Sequence, residues 1–120
     1  MSEECIKQLL PDTMTIGGRT YDILPILKVK GKMVKGDTMV EQAKEMNAHL
    51  GKDDRNHLLT HQSEIPVALR GKVAFVFTDD RRLDDSEDVY CVDWNGAHWV
   101  TDWGWLGSDW GDNCRVLRRK

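Results

Sequence analysis

VYCVDWNGAHWVTDWGWLGSDWGDNCRVLRRK, residues 89–120, holds all five tryptophans of the 120-residue chain, two of its three cysteines and a basic closing strand. At its centre Asn95-Gly96 stands between two alternating runs. Both residues accept the positive φ of a two-residue hairpin turn, so the pair is a strong hairpin signal. A two-residue turn sets Trp94 opposite Ala97, Asp93 opposite His98 and Val92 opposite Trp99. Because faces alternate along a strand, one face then carries Tyr90, Val92, Trp94, Trp99, Thr101 and Trp103. The other carries Val89, Cys91, Asp93, His98, Val100 and Asp102. Trp99 and Val92, mid-strand, are expected to pack inward. Trp94 at the turn, and Trp105 and Trp110 among glycines, are the candidates for exposure.

The rest of the chain builds outward from this hairpin. The size fits a single domain, with residues 1–12 a loose N-terminal helix or arm ending near Pro11. Gly17-Gly18 between β-formers predicts a second two-residue hairpin, and Pro25 places its second arm at an edge, a bulge or a break. Thr38 and Glu41 have capping-box spacing, and Met39, Ala43, Met46 and Leu50 recur at helical intervals, with Gly51 as the stop. A second helix follows Asp53 or Asp54 and carries Leu58 and Leu59. Pro66 opens one further turn, closed at Gly71. Residues 38–70 are thus expected to form one compact helical layer. KVAFVFT, residues 72–78, is apolar on both faces and reads as a buried central strand. Residues 79–88 follow as an acidic, solvated loop, and residues 114–119 form the last strand. The fold class is α+β, with two or three helices on a mostly antiparallel sheet.

Composition narrows the function. A net charge of −3 gives no global basic field for nucleic acid. Lys28, Lys30, Lys32 and Lys35 form one basic run. Cys5, Cys91 and Cys114 are three thiols without motif spacing, which favours free cysteines over a disulfide framework, although Cys91 and Cys114 could meet on neighbouring strands. No leader-like N-terminus and no stretch near the ~18 apolar residues of a membrane span is seen. The expectation is a cytoplasmic protein, with export by another route open.

Few residues suggest catalysis. His57 and His61 have the i, i+4 spacing of a zinc helix, with Glu64 as a conceivable third ligand, but the general-base glutamate of that motif is absent. Cys91, His98 and Asp93 are the only constellation suited to a Cys/His hydrolase, and a cross-strand structural pair accounts for them better. Asp109, Asp112 and Asn113 form an oxygen-rich cluster that turn chemistry explains better than calcium does. Arg115, Arg118, Arg119 and Lys120 beside tryptophans could serve single-stranded nucleic acid, against the acidic balance of the chain. No phosphate loop or dinucleotide fingerprint occurs, and no catalytic residue, metal or cofactor is assigned.

The order of elements, with a last strand returning toward the first, resembles the C-type-lectin-like fold. Residues 105–113, WLGSDWGDN, feeding CRVLR at 114–118, are similar to the closing segment of the variable, ligand-binding proteins of diversity-generating retroelements. Trp110-Gly111-Asp112 departs from the Trp-Asn-Asp element of calcium-dependent lectins, and their paired-proline element is absent. The resemblance therefore implies a non-enzymatic module for a protein or cell-surface ligand. Independently, loops carrying glycine-flanked tryptophans over a rigid sheet give an expected ligand face that joins the Asn95 turn to the glycine-rich loop: Trp94, Asn95, Trp105, Asp109, Trp110, Asp112 and Asn113.

Overall fold

The computed structural model describes residues 10–26, 33–111 and 113–120. The proposed arm before Leu10, Cys5, Lys28, Lys30, Lys32 and Asp112 lie outside them. In chain order the elements are β1 (Thr13–Ile16), β2 (Arg19–Pro25), β3 (Val34–Lys35), α1 (Gly36–Glu45), α2 (Lys52–Thr60), two 3-10 turns (Gln62–Glu64 and Val67–Leu69), β4 (Ala74–Arg82), β5 (Asp85–Trp94), β6 (Trp99–Trp105), β7 (Asp109–Trp110) and β8 (Cys114–Arg119). Six strands form one sheet in the order β1-β2-β8-β4-β5-β6, and β3 pairs with β7 separately. Within the large sheet β4 and β8 run parallel and the other pairs antiparallel. The fold is α+β, as the sequence suggests.

Alternation along the central strands explains where the helices go. Phe75 and Phe77 of β4, Val92 of β5 and Leu117 of β8 share a core with Leu58 of α2 and with Ile65 and Leu69 beyond it. Val76, Val89, Cys91 and Val116 point to the opposite face, where Met39, Val40 and Ala43 of α1 cover them together with Leu106 and Trp110. The expected single helical layer is therefore split. A sheet that is apolar on both faces needs cover on both, and one layer would leave the valine face in water.

Several local expectations hold. Ile16 pairs with Arg19 across Gly17 and Gly18, whose φ values are +51° and +84°. Pro25 is the last residue of β2, and Pro66 precedes the Val67–Leu69 turn. Others shift. Helix α1 starts at Gly36 with no side-chain cap from Asp37 or Thr38. The Gly36 N–H donates to Leu106 O at 3.1 Å, and a Cβ there would lie 2.1 Å from that oxygen, so only glycine admits the contact. Asn47, at φ +57°, turns the chain after α1, while Gly51 instead precedes α2.

The Asn95-Gly96 turn is wider than two residues. Asn95 Oδ1 accepts the N–H groups of Ala97 and His98, each at 2.9 Å, and Asn95 N–H donates to His98 O at 3.1 Å. The side chain thus replaces backbone pairing, as asparagine does in turns. Register moves by two: Trp94 meets Trp99, Asp93 meets Val100 and Tyr90 meets Trp103. A two-residue shift preserves parity, so the aromatic side chains stay on the face expected of them.

The expected acidic loop is mostly strand. β4 and β5 continue to a tight turn at Leu83-Asp84, with irregular register between Phe77 and Arg81. Asp80 and Asp88 are buried there. Arg55 from α2 pairs with Asp80, and Arg82 Nη1 lies 3.4 Å from Asp88. These arginines make the inward carboxylates tolerable.

In the same first turn of α2, beside Arg55, Asp54 gathers a polar network. Tyr21 Oη donates to Asp54 Oδ1 at 2.7 Å, and Arg119 Nε and Nη2 bind the same carboxylate at 2.9 and 3.0 Å. Burial, and then the bond to Asp54, push the Tyr21 phenol up to about 12. Its folded value exceeds the unfolded one, near 10, so its contribution is complete below pH ~10 and is lost as pH rises toward 12. A two-unit displacement corresponds to about 2–3 kcal/mol. Urea titrations between pH 9 and 12 should show that fall, and Tyr21→Phe should flatten it.

Candidate functional site

β6 ends the sheet, so the outward amides of the strand face no neighbouring strand. Side chains close much of this edge. Gln62 accepts Trp99 N–H at 2.9 Å and donates to Trp99 O at 3.2 Å, in place of a neighbouring strand. Trp103 N–H donates to Asp102 Oδ1 at 2.8 Å. Ser108 donates to Trp105 O through both N–H and Oγ, at 3.1 and 2.7 Å. Such blocking disfavours strand addition at this edge.

On the α2 side of β5 and β6 the paired rows run outward as Trp94/Trp99, Val92/Thr101, Tyr90/Trp103 and Asp88/Trp105. Trp99 is core at 2% exposure and Trp94 packs against it. Beyond the reach of α2 the rows become a surface. Arg55 stands 4.3 Å from the Tyr90 ring centre, and Arg82 stands 4.6 Å from that of Trp103. The Arg55 guanidinium is fixed by Asp80 and by Thr101 Oγ1 at 3.5 Å. Tyr90 and Trp103 meet edge to face at 6.3 Å. Trp103 is 50% exposed, Trp105 is 58% exposed, and Leu83 at the β4–β5 tip is fully exposed.

Of the residues expected to form one ligand face, Trp94 and Asn113 come together, whereas Trp105 lies away from the Asn95 turn. Asn95 lies at one end of β6 and Trp105 at the other; seven residues of strand span about 20 Å. Trp94 is half-buried, with Arg70 4.4 Å from its ring centre. Together with Asp93, Asn113 and Lys72 it lines a cleft of about 190 Å³. Asp109 is exposed and ion-paired with Lys35 at 2.8 Å. Trp110, expected at the surface, is only 8% exposed. Its ring covers Gly104, where a Cβ would lie 2.4 Å from it. Gly104 thus marks close packing of the Trp110 ring, where the sequence suggests exposure.

Trp103, Tyr90, Leu83, Arg55 and Arg82 are missed by the sequence reading of the surface. Trp103 had been placed on the aromatic face, but its exposure depends on strand order, which local sequence does not encode. The alternating Trp103-Gly104-Trp105 triplet is the one signal that could have pointed there.

The other clusters resolve into structural contacts. Cys91 and Cys114 are buried and unbridged, on the two strands flanking β4. Burial pushes the Cys91 thiol up, and the neighbouring Cys114, Asp102 and Asp93 add to it. His98 sits exposed in the turn, and Asp93 faces Val100 instead of His98, so the expected Asp93–His98 pair does not form. His57 Nε2 lies 2.6 Å from Ile16 O, His61 Nδ1 lies 3.4 Å from Glu64, and Glu64 also accepts Gly17 N–H. These three side chains hold the β1–β2 turn. Among the described residues no group of three or more His, Cys, Asp or Glu side chains could hold a metal ion. Arg118 is paired with Asp22 and Arg119 with Asp53 and Asp54, on a strand separated from β6 by two others. No helix of the described residues is long and apolar enough to cross a membrane. The chain matches no protein-family model, no curated protein and no solved structure.

Proposed function

We propose that this chain is a non-enzymatic binding module for another protein, and that its contact surface is Trp103, Trp105 and Leu83 with Tyr90 and Arg82 beneath them. The carrying observation is two adjacent, half-exposed tryptophans on one face of an edge strand. Large aromatic rings are concentrated at binding hot spots, and exposed apolar patches on a small domain mark interaction sites. The rings project from a rigid sheet, which limits the ordering cost of binding. A C-type-lectin-like assignment belongs to this proposal. It is supported by helices on both faces of a mixed sheet, by the return of β8 beside β2, and by the resemblance of residues 105–118 to retroelement variable proteins. The face used here is the outer end of β5–β6, without Trp110.

Selection from a displayed peptide library tests the reading. Peptides recovered on the parent protein should lose about tenfold or more of their affinity for Trp105→Ala or Trp103→Ala, the ~2 kcal/mol scale of a hot-spot truncation. Recovered peptides indifferent to both substitutions would place the binding surface elsewhere.

A further inference from the structure

Three aromatic rings on the α2 side of β5 and β6 each carry a guanidinium. Arg70 covers Trp94 at 4.4 Å, Arg55 covers Tyr90 at 4.3 Å and Arg82 covers Trp103 at 4.6 Å. Trp105 is the next residue outward on this face, two positions beyond Trp103. Its ring lies against Gly107, where a Cβ would come within 2.3 Å of it. The turn beneath is held by the two bonds from Ser108 to Trp105 O. The ring is therefore positioned, and it remains 58% exposed. Among the described residues no cationic group is seated on Trp105 as the three arginines are on the other rings.

The charge around it is predominantly negative. Residues 79–88 hold six carboxylates against two arginines. Asp88 stands directly across from Trp105 in the ladder, and Glu87 O accepts Leu106 N–H beside it. Arg82 is shared between Asp84 and Asp88, and Lys35, next to the Gly36 that bonds Leu106 O, is paired with Asp109. A negative surround with an aromatic ring at its edge favours a cation approaching the ring face.

Resting on the protein-binding reading above, we propose that Trp105 receives an arginine side chain of a basic segment in the partner, extending the arginine–aromatic ladder by one intermolecular step. Arginine is favoured over lysine because a planar guanidinium stacks on a ring while still donating to carboxylates alongside. The acidic segment 79–88 supplies steering, so association should weaken with salt.

The probe is the peptide acetyl-Arg-Gly-Arg-Gly-Arg-amide, with its citrulline counterpart as an uncharged isostere, each added at millimolar concentration. The readout is the set of indole N–H signals in a two-dimensional NMR spectrum, assigned by single substitution. The arginine peptide should move the Trp105 signal most, and the citrulline peptide should leave it in place. Trp105→Ala should weaken arginine-peptide binding by about 2- to 30-fold, the scale of one cation–π contact, and Trp105→Phe should retain part of it. Equal displacement by both peptides would overturn the cation proposal while leaving a protein-binding surface at Trp105. Absence of any Trp105 displacement by the arginine peptide would also overturn it, and the library selection then judges the surface independently.

Discussion

Trp99→Ala is expected to remove about 3–5 kcal/mol of folding stability, the scale of deleting a fully buried aromatic side chain. Trp99 is 2% exposed and lies 5.4 Å from the Phe75 ring centre and 5.8 Å from that of Trp94. It joins the edge strand to the core beneath α2, and the Gln62 side chain bridges its backbone on the outer side. Truncation opens a cavity between the central strand and the 3-10 turns, where neighbouring backbone has little freedom to collapse. Against a total stability of roughly 5–15 kcal/mol, such a loss leaves the domain near its unfolding threshold. Urea unfolding should show a lower midpoint with a similar slope. A loss under about 1 kcal/mol would show that the ring is not part of the core.

Trp110→Ala should be comparably damaging, although glycine and aspartate surround Trp110 in sequence. The ring is buried against Gly104 and belongs to the core that α1 closes with Met39, Val40 and Leu106. Its backbone pairs with Val34, so the same residue ties β7 to the strand entering α1. Removal should cost about 3–5 kcal/mol and loosen cover over Val76, Val89 and Val116. Hydrogen exchange offers a second readout: amides of α1 should lose protection before those of α2, because the two helices rest on opposite faces of the sheet. Unchanged protection in α1 would contradict this role for Trp110.

Elements specified by neighbouring residues were legible. Gly17-Gly18 needed only positive φ, Pro66 only a fixed φ, and residues 72–78 and 114–119 only their apolar patterns. Features resting on distant partners were not. The Asn95 side chain competes with backbone pairing and widens its turn, so the predicted Asp93–His98 pair was out of register although the face assignment survived. The acidic residues of 79–88 looked solvated because Arg55, which pairs with Asp80, lies on a helix 25 residues earlier. The same limit governed the surface. Which tryptophans are exposed depends on β6 being the edge and on what crosses the opposite face: the sequence points to Trp105, Trp110 is buried against Gly104 where exposure is expected, and Trp103 is a surface ring that strand order alone reveals. The expected ligand face is divided for a geometric reason, since Asn95 and Trp105 occupy opposite ends of one strand and Trp110 is buried, while Trp94 and Asn113 share a cleft.

The central claim is that Trp103 and Trp105, half-exposed at the sheet edge, are available to a partner because the core does not depend on them. Urea unfolding of the Trp103→Ala/Trp105→Ala double variant tests it without any ligand. The predicted result is a stability within about 1 kcal/mol of the parent, as for surface substitutions away from packed features. A loss of about 3 kcal/mol or more, matching Trp99→Ala, would show that these rings hold the sheet together and would contradict the binding surface proposed here.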